Sequence, residues 1–315
     1  MIKIYDLKTG KEYVLSSEDK LSCAIGNFDG VHAGHQKLLS LAAEKSGGIT
    51  KSAAFTFSVP TSRLKNGISL LTSPEERYAL FRDLNIELLI LADFSDIVFL
   101  SPERFAEEVL FRRCHVRRIL CGFNFRYGKA AMGNAQSLQR TFSSLGGSVE
   151  IVPPYRIDGL TVSSSEIREA LSVGNVRRAH RMLTRPYAIT AEIVHGKQLG
   201  RTLGFPTANQ CFPHDRLVPK FGVYAVRVRV DEKTYCGVAN VGVRPTVENT
   251  VSANCEVYIL DFEGNLYGKT VTTEFHAFLR PERHFANIDA LITAVHNDIQ
   301  SAKQYFQISK DIPII

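Results

Sequence analysis

The sequence predicts an α/β protein in two parts: an N-terminal doubly wound parallel sheet, then a small antiparallel β-barrel closed by a terminal helix. Three observations carry this. Strand-like and helix-like stretches alternate from residue 21 to residue 183. One of them, I-E-L-L-I-L-A at 86–92, is almost continuously apolar, as a parallel strand covered on both faces is. Beyond Thr184-Arg185-Pro186 the texture changes to short β-branched runs separated by glycine or proline, with no helical stretch until residue 288. The boundary is placed there, giving parts 1–184 and 185–315.

In the first part the expected strands are Leu21–Ile25, Ala53–Phe57, Ile86–Ala92, Arg118–Gly122 and Ser148–Val152. Between them lie expected helices at Gln36–Lys45, Pro74–Leu84, Pro102–Phe111 and Gln136–Leu145. Ser73-Pro74-Glu75-Glu76 combines an N-cap, a proline at the first helical position and a glutamate that completes a capping box. Ser101-Pro102 opens the next helix in the same way. Two short helices, Ser164–Leu171 and Val176–Leu183, end this part. In the second part Y-A-I-T-A-E-I-V, V-Y-A-V-R-V-R-V, Y-C-G-V-A-N-V, C-E-V-Y-I-L-D-F and V-T-T-E-F-H-A-F read as strands, and Ile288–Tyr305 as the closing helix.

A chain of 315 residues accommodates two domains, each able to bury its own core. With 44% hydrophobic and 22% charged residues it is an ordinary globular composition, and no stretch approaches the length of apolar sequence that a membrane helix needs. M-I-K-I-Y-D-L-K-T-G lacks the apolar core of an export signal, so the expected location is cytoplasmic. Six cysteines form no C-x-x-C pair and no zinc spacing, which reads as reduced thiols. Residues 187–315 carry 13 basic and 13 acidic side chains, so the whole net charge of +6 lies in residues 1–186. Such an excess attracts any polyanion and does not by itself choose among a nucleotide, a nucleic acid or a membrane surface.

The first stretch that carries chemistry is Gly26-Asn27-Phe28-Asp29-Gly30-Val31-His32-Ala33-Gly34-His35. It follows the first strand and precedes the first helix, so it belongs at the carboxyl edge of the sheet, where open α/β folds bind ligands. Glycines let the backbone approach an anion, and a helix N-terminus offers free N–H groups. His32 and His35, three apart, can face one phosphate if the turn is already helical, and each can donate to a non-bridging oxygen. From spacing alone, a zinc site and a bland turn with two exposed histidines stay open.

With its neighbours the stretch becomes specific. G-N-F-D-G-V-H-A-G-H resembles the nucleotidyltransferase signature in the form carried by bacterial bifunctional riboflavin kinase/FAD synthetases. The resemblance implies that His32 and His35 contact ATP phosphates without a covalent intermediate, and that Gly26, Asn27, Phe28, Asp29 and Gly34 belong to the same cradle. Ser163-Ser164-Ser165-Glu166-Ile167-Arg168 resembles the family's I-S-S-T-x-I-R motif, which implies that Ser164, Ser165 and Arg168 grip triphosphate oxygens. Without the resemblance, a helix start with Ser163 and Glu166 as its capping box explains the same residues. C-G-F-N-F-R-Y-G-K resembles the segment that lines the nucleotide and flavin site, with Asn124 where the family usually has aspartate. Phe57-Ser58-Val59-Pro60 departs further, since the family usually carries an acidic residue and a His-Pro step there.

The second stretch is Gly200-Arg201-Thr202-Leu203-Gly204-Phe205-Pro206-Thr207-Ala208-Asn209. Alternation in an extended segment puts Thr207 and Asn209 on one side, and a hydroxyl and an amide oxygen are hard ligands that suit Mg²⁺. From spacing alone a glycine-rich hairpin with polar residues facing water is the favoured reading. The stretch is similar to the riboflavin kinase signature, which implies Thr207 and Asn209 as magnesium and ATP-phosphate ligands, with Gly200, Arg201, Gly204 and Pro206 shaping the binding loop. G-V-Y-A-V, N-V-G-V-R-P-T, E-V-Y-I-L-D-F, L-Y-G-K and L-R-P-E-R-H-F follow in the family's order. They imply Glu256 as general base and Asn240 and Arg280 among the binding residues.

Together these resemblances imply a bifunctional enzyme that phosphorylates riboflavin to FMN and then adenylylates FMN to FAD, using ATP and Mg²⁺ in both steps. Its partners are then small molecules, with no nucleic acid or membrane among them, and its oligomeric state is left open. Two other readings are a nucleotidyltransferase acting on another phosphorylated acceptor and a nucleic-acid-binding protein that uses the basic part. The kinase-like motifs oppose the first reading, and the second has no recognisable binding module behind it.

Overall fold

The computed structural model describes residues 2–10, 13–44, 48–60, 67–196, 200, 203–245 and 251–308. Lys45, Arg201, Thr202 and Thr246, which the sequence reading uses, lie outside them. The chain divides into two compact units, Met1–Ser164 and Ser165–Ile315.

In the first unit, β1 (Lys3–Asp6), β2 (Leu21–Ile25), β3 (Lys51–Phe57), β4 (Leu88–Ala92) and β5 (Val116–Gly122) are followed by a two-residue ribbon, β6 (Arg126–Tyr127) with β7 (Gly133–Asn134). Then comes β8 (Ser148–Val152) and a second ribbon, β9 (Arg156–Ile157) with β10 (Leu160–Thr161). The main sheet is wholly parallel, in the order β1-β4-β3-β2-β5-β8. From β2 the chain steps outward through β3 and β4, then returns to place β5 on the other side of β2. The carboxyl ends of β2 and β5 therefore flank the switch point, where such sheets form a ligand crevice.

Alternate residues of each central strand enter different cores. Leu21, Cys23 and Ile25 join Phe55, Leu88, Ile90 and Ile119 on one face, against Phe105, Leu110, Leu138 and Phe142. Ala24, Ala54, Leu89 and Leu120 face Leu38, Leu39 and Phe81 on the other. All five residues of β2 are buried. This two-sided burial explains the nearly unbroken apolar runs read in the sequence.

The longer helices are Ala33–Ala43, Pro74–Asp83, Pro102–Arg104 continuing into a wider i→i+5 coil at Phe105–Arg113, and Ala135–Ser144, with single turns at Phe94–Ile97 and Lys129–Ala131. Ser73 and Glu76 form the expected capping box, with Glu76 N donating to Ser73 Oγ at 3.2 Å and Ser73 N to Glu76 Oε2 at 3.0 Å. The expected helix over 102–111 is thus α-helical only in its first turn. Strand β1, absent from the sequence reading, adds a four-residue edge beside β4.

Helix Ser164–Ser172 starts at the last residue of the first unit, and Val176–Leu183 follows it in the second. Six antiparallel strands follow: β11 (Tyr187–Val194), β12 (Thr207–Cys211), β13 (Gly222–Val230), β14 (Lys233–Pro245), β15 (Val251–Ile259) and β16 (Thr270–Arg280). They close into a barrel in the order β11-β12-β15-β14-β13-β16. The terminal helix Ile288–Ile308 packs Ile299, Ala302 and Phe306 against Val223, Ala225, Val238 and Ala277. Gln210 is fully buried yet satisfied: its amide donates to Ala191 O (3.1 Å) and Val271 O (2.7 Å), and its oxygen accepts from Thr273 Oγ1 (2.6 Å).

Phe275 on β16 has no exposed surface and touches the rings of Tyr187, Phe212 and Tyr224. Phe275→Ala should therefore lower the unfolding free energy of the barrel by about 3–5 kcal/mol in urea denaturation. A loss under about 1 kcal/mol would mean that these rings repack around the gap.

Candidate functional site

Strand β2 ends at Ile25 and the chain enters a strained turn. Phe28 and Val31 have left-handed φ values of 50° and 40°, and Gly30 has 83°. For a β-branched valine this conformation is a real outlier, which persists only where the surroundings over-determine it. Several anchors do so. Asp29 is buried, and its Oδ1 accepts from Leu71 N at 2.9 Å and Thr72 N at 3.4 Å. Gly30 N donates to Thr72 Oγ1 at 3.1 Å, and Ser164 Oγ donates to Asp29 O at 2.9 Å. Gln36 Nε2 donates to Val31 O at 2.9 Å.

Arg77 supplies another anchor. It is 2% exposed, on the helix Pro74–Asp83. Its guanidinium donates to Asn27 O (3.1 Å), Phe57 O (3.0 Å) and Ser58 O (3.3 Å). Burial pulls its pKa down from the ordinary arginine value, opposed by nearby groups including Asp29, and an arginine so placed keeps its charge. One buried cation therefore ties the turn after β2 to the end of β3. The Phe57-Ser58-Val59-Pro60 segment sits here, with Ser58 Oγ also donating to Asp93 Oδ1 at 2.9 Å.

The histidines lie on this base. His32 is the N-cap of helix Ala33–Ala43, and His35 N donates to its Nδ1 at 3.3 Å. A neutral imidazole that accepts at Nδ1 carries its proton at Nε2, so His32 offers an N–H donor. The two rings stack at 3.6 Å between centroids, and His35 meets Phe28 edge-on at 5.2 Å. Burial, and then the neighbouring His32, push the His35 pKa well below the ordinary histidine value. Its Nδ1 is buried with no hydrogen-bond partner among the described residues.

A side chain at Gly34 would press on the His32 ring, and one at Gly26 on the Phe28 ring. No acidic residue occupies the first turn of the helix, whose dipole end stays positive. The result is a neutral, donor-rich surface suited to phosphate oxygens. Among the described residues, no three His, Cys, Asp or Glu side chains group as they would around a metal ion. Asn124, exposed in the loop after β5, shares the carboxyl edge of the sheet with this turn. Ser165 and Arg168 lie on helix Ser164–Ser172 and are described with the second unit, where Glu166 pairs with Arg178.

In the barrel, register builds a row of polar groups. Asn209 on β12 lies opposite Glu256 on β15, which lies opposite Asn240 on β14. Thr207 is two residues from Asn209 and shares its face, as expected from the alternation. Side chains at Gly196 or Gly200 would collide with Asn209 or with the Phe205 carbonyl, so both glycines leave room for this arrangement. Leu203 N and Phe205 N both donate to Gly200 O, and Gly204 takes a φ of 84°, which curls the chain just before Pro206. Asn240 Nδ2 donates to Glu282 Oε1 at 3.2 Å. Arg280 holds Asp298 of the terminal helix through Nε (2.9 Å) and Nη2 (2.8 Å), so its guanidinium anchors that helix. Arg201 lies outside the described residues.

Two contributors were not singled out from sequence. Arg77 had a signal, since it stands four residues before Phe81 on the buried stripe of its helix. Asn254 had none: it is one polar residue in an extended run, and only pairing shows what it faces. Arg77→Met should cost about 3 kcal/mol by leaving buried carbonyls unpaired, and should speed amide exchange across residues 28–31, with Arg77→Lys intermediate. Unchanged exchange with a loss under about 0.5 kcal/mol would remove Arg77 as the anchor of the turn.

Comparison with known proteins names the family of each part. The FAD synthetase family matches residues 15–166, and the riboflavin kinase family matches residues 183–306. Bifunctional riboflavin kinase/FMN adenylyltransferases from Pseudomonas fluorescens, Listeria monocytogenes and Escherichia coli K12 are 37%, 33% and 32% identical to the chain. These matches cover 89%, 90% and 91% of the chain and 91%, 91% and 93% of the relatives. A solved Streptococcus pneumoniae structure described as a macrolide-efflux protein is 29% identical, with a TM-score of 0.85 over 96% of this chain and 99% of that one. No described helix of the present chain is long and apolar enough to cross a membrane. Two matched families in tandem, and relatives aligned along nearly their whole length, place this chain in the bifunctional riboflavin kinase/FMN adenylyltransferase family.

Proposed function

We propose that the two reactions are divided at about residue 184, with FMN adenylylation assigned to 1–184 and riboflavin phosphorylation to 185–315. The observation that carries this most directly is the Asn209–Glu256–Asn240 row, which joins three kinase-like motifs on one face of the barrel. In the kinase half, Glu256 takes the proton from the ribityl 5′-hydroxyl as that oxygen attacks the γ-phosphorus of ATP, and ADP leaves. The hydroxyl of Thr207 and the amide oxygen of Asn209 are hard oxygen donors and fit a divalent cation held together with nucleotide phosphates, Mg²⁺ being the natural choice. The cation supplies charge neutralisation on the phosphate oxygens. Gly200, Arg201, Gly204 and Pro206 shape the loop, and Asn240 and Arg280 border the site.

In the adenylyltransferase half, a phosphate oxygen of FMN attacks the α-phosphorus of a second ATP, and pyrophosphate leaves. His32 and His35 stabilise the charge that develops, because neutral donors already in place need no reorganisation. Ser164, Ser165 and Arg168 receive the departing phosphates. Gly26 and Gly34 keep the cradle open. Asp29 and Phe28 act from beneath it, and Asn124 contacts the base or ribose through its amide. The enzyme works on riboflavin, FMN and ATP, and we place it in the cytoplasm.

A chromatographic time course of riboflavin with ATP and Mg²⁺ tests the division. FMN should appear first and FAD second, and a chelator should stop both. Glu256→Gln should slow FMN formation by about 10²-fold or more while FAD still forms from supplied FMN. The paired His32→Ala/His35→Ala variant should do the reverse. Accumulation of FMN without FAD would show that Asn124 or the 57–60 segment has changed the second reaction. Absence of any flavin conversion would refute the assignment.

A further inference from the structure

We propose that Asn254 is a positioning residue for phosphoryl transfer in the barrel: its carboxamide fixes both the orientation of the Asn209 amide and the placement of the Glu256 carboxylate. The inference rests on the roles proposed above for Asn209 and Glu256 and adds the group that couples them.

The argument begins with strand geometry. Asn254 and Glu256 are two apart on β15, so they share a face. Asn209 sits directly opposite Glu256, which makes Asn254 its diagonal neighbour across the β12–β15 pair. Asn254 is 4% exposed, and Asn209 is 5% exposed. Asn254 Nδ2 donates to Asn209 Oδ1 at 3.1 Å and to Glu256 Oε1 at 3.2 Å. These two bonds use both protons of the amide nitrogen.

The chemistry of the three groups fixes their orientation. An ionised carboxylate can only accept, so the end of Asn254 that meets Glu256 must be its nitrogen. The same nitrogen meets Asn209, which must then turn its oxygen toward Asn254 and its nitrogen toward the Thr207 carbonyl, where Nδ2 donates at 3.4 Å. The carboxylate thus sets Asn254, and Asn254 sets Asn209. An amide oxygen has two lone pairs, and Asn254 takes one, leaving the other for a cation. Without Asn254, Asn209 can flip and present its NH₂ group, which repels a cation. The oxygen of Asn254 itself is buried with no hydrogen-bond partner among the described residues, so the side chain is held from its donor side alone. A buried polar group with one unsatisfied end is costly and marks a place where position takes precedence over stability.

Asn254→Ala and Asn254→Thr test the inference in the full chain. The first removes both donors, and the second suits a strand and keeps one hydroxyl donor for one of the two acceptors. Residues that orient a metal ligand from behind typically change affinity or activity by about 10–100-fold. The alanine variant should therefore lose about that factor in kcat for riboflavin phosphorylation, with KM for riboflavin within about threefold. Threonine should fall between alanine and wild type. Calorimetry with ADP and Mg²⁺ should show weaker binding in both variants, with ADP alone bound as in wild type.

FAD formation from supplied FMN should be unchanged in both. If the alanine variant fails to fold, the threonine variant decides through the same split of kcat against KM. Wild-type kcat and Mg²⁺-dependent ADP binding in a folded variant, with Glu256→Gln inactive, would overturn the role of Asn254 alone. So would a rise in KM with kcat unchanged. An active Glu256→Gln would instead remove the reading on which the inference rests.

Discussion

A buried arginine holding a strained turn is the constraint on which the nucleotide end of this protein depends. The turn after β2 carries two non-glycine residues in the left-handed region, an arrangement that costs on the order of 1–3 kcal/mol for each residue. Arg77 fixes it from below through the Asn27 carbonyl, and reaches the end of β3 with its other donors. Asp29 fixes it from the side through the backbone at Leu71 and Thr72. A charge buried at this depth carries a large desolvation cost, and Arg77 offsets it by donating to three backbone carbonyls that no apolar side chain could satisfy. The resulting rigidity is what the stacked histidines need. A donor aimed at a phosphate oxygen contributes to catalysis to the extent that it is already in place.

The two units answer the same electrostatic problem with opposite groups. Under the proposed roles, the first offers phosphate hydrogen-bond donors: imidazole N–H and the first turn of a helix without acidic residues. The second, under the same proposal, offers oxygens, the Thr207 hydroxyl, the Asn209 amide and the Glu256 carboxylate, which would suit phosphate only through a cation. The proposed roles then separate the tasks: a carboxylate within reach of the imidazole N–H groups would compete with phosphate for their protons, whereas among the barrel's oxygen donors it would be free to serve as a base.

Much of the fold was legible because burial and periodicity agreed. Strands β2 and β8 and the helix Val176–Leu183 fall at the residues expected from pattern alone. The helix after the first turn begins three residues earlier than expected because His32, an uncommon N-cap residue, caps it where Ser, Thr, Asp or Asn is the usual signal. The coil over Phe105–Arg113 widens without a local sequence cue. At the sites, the motif residues were legible by type, and their partnerships were not. The pairing of Asn209 with Glu256 follows from barrel register, a non-local property that spacing along the chain does not encode. Arg280, read as a binding residue, holds Asp298 in an ion pair that the sequence did not reveal.

The contacts around the turn hold its histidines neutral and preorganised in the ligand-free protein. Nitrogen-15 NMR of the imidazoles in the ligand-free protein at pH 7 tests it most directly. His32 should appear as the neutral tautomer protonated at Nε2, with Nδ1 accepting from the His35 amide, and His35 uncharged beside it. A His32 protonated at Nδ1, or an imidazolium at either position, would contradict it.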